Sequence, residues 1–257
     1  MSEPSLCLFS SYLSANIVPS YVKHYLFELK KHIDDVFFVT NKKTLKDSEI
    51  EILREQEIKI LFVKNKGYDF GMYYQALQEI SISNYKEIVL ANDSCLLTNQ
   101  LNSYFSWFRK GNLEMAGLLD SMQVTYHIQS YFLSFQGVGV SKFEEYLRSN
   151  KIINKKKGVI KTYEIGLSSW FSSIGLKIGS YYNSKDYSKN IGLNPAIFQV
   201  KELIEDGFPL IKRKLLKGGY TKSDLIFFAK NGLVIDPHQL KQLILETNSE
   251  LTLEAFD

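Results

Sequence analysis

Ile88-Val89-Leu90-Ala91-Asn92-Asp93-Ser94-Cys95 is the stretch on which the reading of this chain turns. Four apolar residues run directly into Asn92-Asp93-Ser94, the pattern of a buried strand that ends in a carboxylate. In an open α/β sheet, ligands gather outside the carboxyl ends of the strands. An acidic side chain placed there can hold a divalent cation and, through it, a phosphate. Asn, Asp and Ser are also ordinary turn and helix-cap residues. By itself the stretch leaves a functional carboxylate and a plain turn equally open.

Upstream, apolar runs alternate with segments of helical spacing. Leu6-Cys7-Leu8-Phe9 reads as a first strand running into Ser10-Ser11-Tyr12. Over residues 18–33, Val18, Val22, Leu26, Leu29 and Ile33 recur at helical intervals, and Pro19 suits a first helical turn. Val36-Phe37-Phe38-Val39 is a second strand leading to the turn Thr40-Asn41. A helix is expected over residues 48–56 with Ser48 as its N-cap, then a third strand over residues 58–63. The glycine-bearing loop Asn65-Lys66-Gly67-Tyr68-Asp69-Phe70-Gly71 opens a helix that carries the chain to Ile88. Such alternation means βαβ units and a parallel sheet. Right-handed crossovers then bring Ser10-Ser11, Thr40-Asn41, the loop of residues 65–71 and Asn92-Asp93-Ser94 to one rim. This convergence favours a functional Asp93.

Further on the pattern loosens. A helix is expected over residues 101–108 and a strand over 115–120; residues 128–135 alternate like a half-buried strand. A helix over residues 140–147 has Ser141 as its candidate cap. Asn154-Lys155-Lys156-Lys157-Gly158 reads as a basic, solvated loop. Residues 163–176 fit an amphipathic helix stopped by Gly175, with Glu164 at its start, where the helix dipole favours negative charge. From residue 200 helical segments are expected, including the basic stretch 208–216. The organisation read from this is a catalytic domain over residues 1–199 and a C-terminal helical extension over 200–257 packed on the same domain.

The chain has 257 residues, 45% of them hydrophobic and 23% charged, as a soluble globular protein of this length does. A net charge of +3 is too small to indicate a nucleic-acid partner. Two cysteines, Cys7 and Cys95, make neither a disulfide framework nor a zinc quartet, so a reducing cytoplasm is expected. The first residues lack a signal pattern, and no apolar run reaches the roughly 18 residues that cross a bilayer. Peripheral contact with the inner face of the plasma membrane, through Lys155-Lys156-Lys157 and Lys212-Arg213-Lys214, is a further expectation. There is no dinucleotide glycine fingerprint, phosphate-binding GxxxxGK[ST] loop, HExxH or nucleophile elbow. His24, His32, His127 and His238 are scattered; His127 reads as a structural or surface residue, and His238, after Asp236-Pro237, reads as a turn or helix-start residue ahead of a metal contact from the C-terminal segment.

Two carboxylates remain: Asp93 on the rim and Glu164 later in the chain. Glycosyl transfer from a nucleotide sugar needs such a pair. The leaving diphosphate requires charge neutralisation, which Mg²⁺ or Mn²⁺ on an aspartate can supply. The acceptor hydroxyl must lose its proton to a carboxylate on the other side of the reacting carbon.

Five stretches then carry a resemblance: Asn65-Lys66-Gly67-Tyr68-Asp69-Phe70-Gly71-Met72, Asn92-Asp93-Ser94, His127-Ile128-Gln129-Ser130-Tyr131-Phe132, Tyr163-Glu164-Ile165-Gly166-Leu167-Ser168 and Gly207-Phe208-Pro209-Leu210-Ile211-Lys212-Arg213. In this order they resemble the rhamnan synthesis protein F family of polysaccharide-building glycosyltransferases. The resemblance implies an α/β, GT-A-like nucleotide-diphospho-sugar transferase fold with a mainly parallel central sheet flanked by helices. It implies inverting transfer from a dTDP- or UDP-sugar, with L-rhamnose favoured by the family name alone. The acceptor would be a growing cell-surface polysaccharide such as O-antigen or capsule, or a lipid-linked glycan. By the same resemblance Asp93 is the carboxylate for Mg²⁺ or Mn²⁺ or for the diphosphate, and Glu164 is the general base. Ser10, Asn65, Gly67, Asp69 and Asn92 would hold the nucleotide, and Gln129, Ser130 and Tyr131 would line the acceptor or donor-sugar pocket. The family's usual acidic motif has two aspartates flanking one residue. Ala91 and Cys95 leave Asp93 without such a partner, so a single-carboxylate or metal-free mode stays open. So does a non-catalytic module of the same fold that binds glycan or a partner transferase. Asp69 as a plain helix cap and Glu164 as a helix-dipole acid are the corresponding structural readings.

Overall fold

The computed structural model describes residues 4–187, 192–216 and 227. Every residue of β1 (Ser5–Ser11) and β4 (Glu87–Asn92) is buried. Strands covered on both faces have no need to alternate, which is why both read as continuous apolar runs. Their side chains still point alternately up and down. Cys7, Phe9, Val89 and Ala91 enter one core, with Val22 and Leu26 of α1 (Ser20–Lys30). Leu6, Leu8, Ile88 and Leu90 enter the other, with Phe70 and Tyr73 of α3 (Tyr68–Glu79). Helices on both faces of one sheet follow from this division.

Between these elements lie β2 (Asp35–Thr40), α2 (Asp47–Glu55) and β3 (Ile58–Phe62). The four strands run parallel in the order β3-β2-β1-β4, with Ser10 level with Val39 on one side and Asn92 on the other. The ends of β1 and β4 therefore share one rim. The expected cap of α2 differs: Lys46 stands at its N-cap and Ser48 is already helical.

The second half follows as β5 (Cys95–Leu97), α4 (Asn102–Lys110), β6 (Met115–Ser121), β7 (His127–Ile128), β8 (Phe132–Gln136) and α5 (Val138–Ser149). β8 enters antiparallel between β4 and β6, and β9 (Ile178–Tyr182) lies parallel to β6. The sheet order is β3-β2-β1-β4-β8-β6-β7, with β9 on β6. The fold is thus α/β, a large, mostly parallel central sheet flanked by helices.

Further sequence expectations are corrected. Residues 128–135 are not one half-buried strand. The chain breaks between β7 and β8, and both pieces are buried. Their polar residues meet polar partners inside: Tyr104 donates to Ser134 Oγ at 2.9 Å. The helix expected from residue 163 starts earlier, as α6 (Lys156–Val159), continues through a wider π-helical stretch (Ile160–Gly166) and ends as α7 (Leu167–Ser173). Ser141 does not cap α5, since Gly137 precedes that helix and Ser141 Oγ donates to the Val138 carbonyl.

The chain continues through α8 (Ser184–Tyr187), α9 (Pro195–Phe198), α10 (Val200–Glu205), β10 (Leu210–Lys212) and α11 (Arg213–Leu216). The stretch expected to be helical across 208–216 is a strand at Leu210–Lys212, antiparallel to β5. Pro209 lacks the N–H a helix needs, and β5 supplies a strand edge instead. Residues 217–226 and 228–257, with His238 and most of the expected extension, lie outside the described residues. No described helix is long and apolar enough to cross a membrane.

Candidate active site

The rim where β1 and β4 end opens onto a cavity of about 680 Å³, within the range of small-molecule sites. Asn92 and Ser94 make the turn that both readings of the opening stretch foresee. Asn92 Oδ1 accepts from Ser94 N at 3.1 Å and from Ser94 Oγ at 2.5 Å. This leaves Asp93 in the cavity wall, where its Oδ2 accepts from Ser11 Oγ at 2.9 Å and from Arg213 Nη1 at 3.0 Å. Burial raises the Asp93 pKa, and Arg213 and Ser11 only partly offset it. Ser10 reaches the same wall and donates to Tyr73 Oη, which in turn donates to the Ala91 carbonyl. Thr40 and Asn41 do not join it, and Asn41 instead ties down the backbone of Leu13.

The glycine loop enters from β3. Gly67 does not line the cavity; it turns the chain, with φ +80°, and a Cβ there would strike the Ile152 side chain. Tyr68 follows at φ +57°, a conformation that costs a non-glycine residue free energy. The double left-handed turn brings Asn65, Tyr68 and Asp69 to the wall. Asp69 does not cap α3: Gly67 stands at the N-cap, and Asp69 lies inside the first turn, where its Oδ1 accepts from the Phe70 N–H. Its Oδ2 accepts from Asn92 Nδ2 at 2.9 Å, so it also joins the rim. Burial lifts its pKa to about 6, opposed by the Phe70 N–H and assisted by the charges of Glu164 and Asp93.

Glu164 also lines the cavity, but not from a helix start. It lies within the π-helical stretch, beyond α6, so the helix dipole is not what holds its charge. Two neighbours do. Ser130 Oγ donates to Oε2 at 2.5 Å, and His127 Nε2 lies 3.5 Å from Oε1. His127 Nδ1 lies 2.8 Å from the Thr125 carbonyl oxygen, which can only accept. Nδ1 therefore carries a hydrogen, and a second proton on Nε2 makes the imidazolium that faces Glu164. Burial lowers the His127 pKa, but the Glu164 and Thr125 contacts outweigh it and the net shift is upward. For Glu164 burial raises the pKa, while His127, Ser130 and Lys212 together bring it below the ordinary value.

Ser130 and Tyr131 line the cavity as expected; Gln129 does not. Gln129 is buried and holds others in place, accepting from Lys212 Nζ at 2.9 Å and exchanging hydrogen bonds with Asn194. Lys212 Nζ also stands 4.9 Å from the Tyr131 ring centre. Sequence reasoning missed these cations. Lys156, Lys212 and Lys214 all line the cavity. Their signal was present as two basic runs, but a run of lysines does not say which way it faces. The β5–β10 pairing supplies that direction: Lys212 is level with Cys95, and Arg213 N donates to the Ser94 carbonyl.

The site does not fit the expected Mg²⁺ or Mn²⁺. Asp93 is held by a guanidinium, and Asp69 by a backbone N–H and an amide. Among the described residues no group of three or more His, Cys, Asp or Glu is arranged to hold a metal ion.

Among curated proteins, the chain is 31% identical to the uncharacterized protein y4gN of Sinorhizobium fredii, over 60% of this chain and 42% of that one. It is 28% identical to the virulence protein VirA of Vibrio anguillarum, over 62% of each. The chain thus spans less than two thirds of the length of either relative. Among solved structures, a putative glucose-1-phosphate thymidylyltransferase from Bacillus anthracis superposes with a TM-score of 0.49 at 10% identity, covering 70% of this chain and 86% of that one. The glycosyltransferase GlyE of Streptococcus pneumoniae superposes with a TM-score of 0.45 at 13% identity, covering 97% and 64%. The sequence profile of rhamnan synthesis protein F matches residues 36–244, well over half of the chain, and the match takes in Asp69, Asp93, Ser130, Glu164 and Lys212 of the cavity wall. This chain belongs to the rhamnan synthesis protein F family.

Proposed function

We propose that the chain is a glycosyltransferase that moves a sugar from a nucleotide diphosphate donor onto a growing cell-surface polysaccharide or its lipid-linked precursor. One observation carries the reading. Five stretches far apart in sequence each deliver side chains to a single cavity outside the ends of parallel strands: Asp69, Asp93, Ser130, Glu164 and Lys212 mark them. Packing alone gives no reason for three carboxylates to share such a wall. Catalysis does, and this favours an enzyme over a binding module of the same fold.

In the proposed reaction Glu164 is the general base and the transfer inverts the anomeric centre. Its depressed pKa keeps it ionised at neutral pH. The acceptor hydroxyl becomes acidic only as its oxygen bonds to the anomeric carbon, so the proton passes late to the carboxylate. The bond between that carbon and the diphosphate breaks, and its electron pair leaves with the nucleotide. Ser130 fixes the carboxylate by its 2.5 Å hydrogen bond, and His127 balances its charge. Asn65, Asp69 and Asn92 hold the nucleotide end, with Ser10 in the floor. The donor is a dTDP- or UDP-sugar; L-rhamnose rests on the family description. A lipid-linked acceptor would bring the chain to the cytoplasmic face of the membrane, where exposed Lys155 and Lys157 add attraction to anionic lipid.

The test is a panel of UDP- and dTDP-sugars offered to the purified chain, with release of nucleoside diphosphate followed over time. One donor should be consumed, and the same donor should raise the melting temperature by mass action. If no donor is consumed and none stabilises the fold, the proposal fails.

A further inference from the structure

Resting on that reading, the charge that meets the diphosphate can be assigned. We propose that Lys156, Lys212 and Lys214 bind the donor diphosphate directly, with Arg213 filling the place beside Asp93 where a divalent cation would sit, so that donor binding needs no metal.

The arrangement around Asp93 comes first. β10 pairs with β5 immediately after the Asp93 turn, and Arg213 N donates to the Ser94 carbonyl at 3.0 Å. From there Arg213 Nη1 reaches both the Asp93 carbonyl oxygen, at 2.7 Å, and Oδ2, at 3.0 Å. Its guanidinium also packs 4.5 Å from the Tyr21 ring centre. Backbone pairing, two hydrogen bonds and a ring contact thus fix a positive charge against the rim carboxylate. A divalent cation on Asp93 would have to displace it and then face the cavity's lysines.

The charges in the cavity are unbalanced in the direction an anion needs. Asp93 is paired with Arg213 and Glu164 with His127, and the third carboxylate, Asp69, is held by the Phe70 N–H and the Asn92 amide and is outnumbered by the three lysines of the wall. Lys212 is anchored by Gln129, a neutral acceptor, and the nearby Glu164 is already paired with His127. An ammonium has three donors, so Lys212 keeps hydrogen-bonding capacity toward the cavity it lines. Lys214 and Lys156 line the same space from the start of α11 and of α6. The Tyr131 hydroxyl, in the same wall, is buried and has no hydrogen-bond partner among the described residues. Buried polar groups without partners are rare, and at a ligand site such a group is a donor in wait of an acceptor. A diphosphate is the part of a nucleotide sugar that meets several cations and a hydroxyl together.

The experiment is calorimetric titration of the full chain with UDP, dTDP and inorganic pyrophosphate, first with EDTA and then with Mn²⁺ or Mg²⁺. A nucleoside diphosphate should bind equally well under both conditions and more weakly as salt is raised. Lys214→Ala and Lys156→Ala should each weaken it about tenfold, the scale of a lost charge-assisted hydrogen bond. Both residues are exposed, so neither change threatens folding. Lys212→Met, which keeps an unbranched apolar side chain at this position, should do the same. Binding that appears only after Mn²⁺ or Mg²⁺ is added would overturn the assignment and leave glycosyl transfer standing. Metal-free binding that all three variants retain at parental strength would also overturn it. Absence of binding with and without metal would remove both this inference and the reaction on which it rests.

Discussion

His127 Nε2 lies 3.5 Å from Glu164 Oε1, and the two side chains shift one another's titration in opposite directions. Glu164, with a folded pKa below the unfolded one, contributes stability that is present above the unfolded value and lost as pH falls through the folded one. His127, with a raised pKa, contributes stability that is full below about 6.5 and lost as pH rises through its folded value. The ion pair therefore exists in a window bounded by Glu164 on the acid side and His127 on the alkaline side. The groups around the pair are Ser130 and Lys212 for Glu164, and Thr125 and Asp120 for His127.

Replacing His127 tests this coupling. In His127→Gln the burial of Glu164 is no longer opposed by a cation, so its pKa should move up. The acid limb of the pH–rate profile should shift to higher pH, while KM for the donor changes little. An acid limb that stays in place would show that His127 fills space and does not set the charge of Glu164.

Asp69 bears on stability. Its pKa rises from 3.8 to about 6 on folding, so between those values the native chain holds a proton that the unfolded chain has released. Stability therefore falls as pH rises through that window. A shift of this size corresponds to at most about 3 kcal/mol lost at neutral pH. Asp69→Asn should raise the urea midpoint at pH 7, lose that advantage near pH 4 and weaken nucleotide binding. A lower midpoint at pH 7 would mean that the Asn92 and Phe70 hydrogen bonds outweigh the burial of the charge.

Arg213 and Asp93 form a partly exposed pair, with 28% and 22% of their side-chain surfaces accessible. Arg213→Met should destabilise the chain by roughly 1–2 kcal/mol, reduced from the cost of a fully buried pair by solvent screening. Asp93→Asn in that background should cost less than it does alone. Strict additivity in this double-mutant cycle would show that the contact has no energetic meaning.

The first half of the fold was legible because β1 to β4 and their helices are local units with strong apolar signals. The rim position of Asp93 followed from the end of one strand, and the loop carrying Asp69 from its glycines. Glu164 was found as a residue but misplaced as a helix start, since nothing in Tyr163-Glu164-Ile165-Gly166 marks a wider helical turn. Arg213 and Lys212 were illegible for a different reason. They reach the site through a three-residue strand, β10, that finds its partner β5 far back in the chain. Pairing that short has no periodicity, and its direction is set by the assembled core. Gln129 was assigned to the pocket, yet its work is to hold Lys212, a role visible only once β10 is in place beside it.

The most direct measurement compares transfer and nucleotide affinity in Glu164→Gln, with the donor that the parent chain consumes held at saturation. The account expects transfer to fall by roughly 10²- to 10⁴-fold, the range of a lost general base, with nucleoside diphosphate binding unchanged. Transfer at the parental rate would contradict the assignment of Glu164 as the base, and with it the chemistry proposed for the cavity.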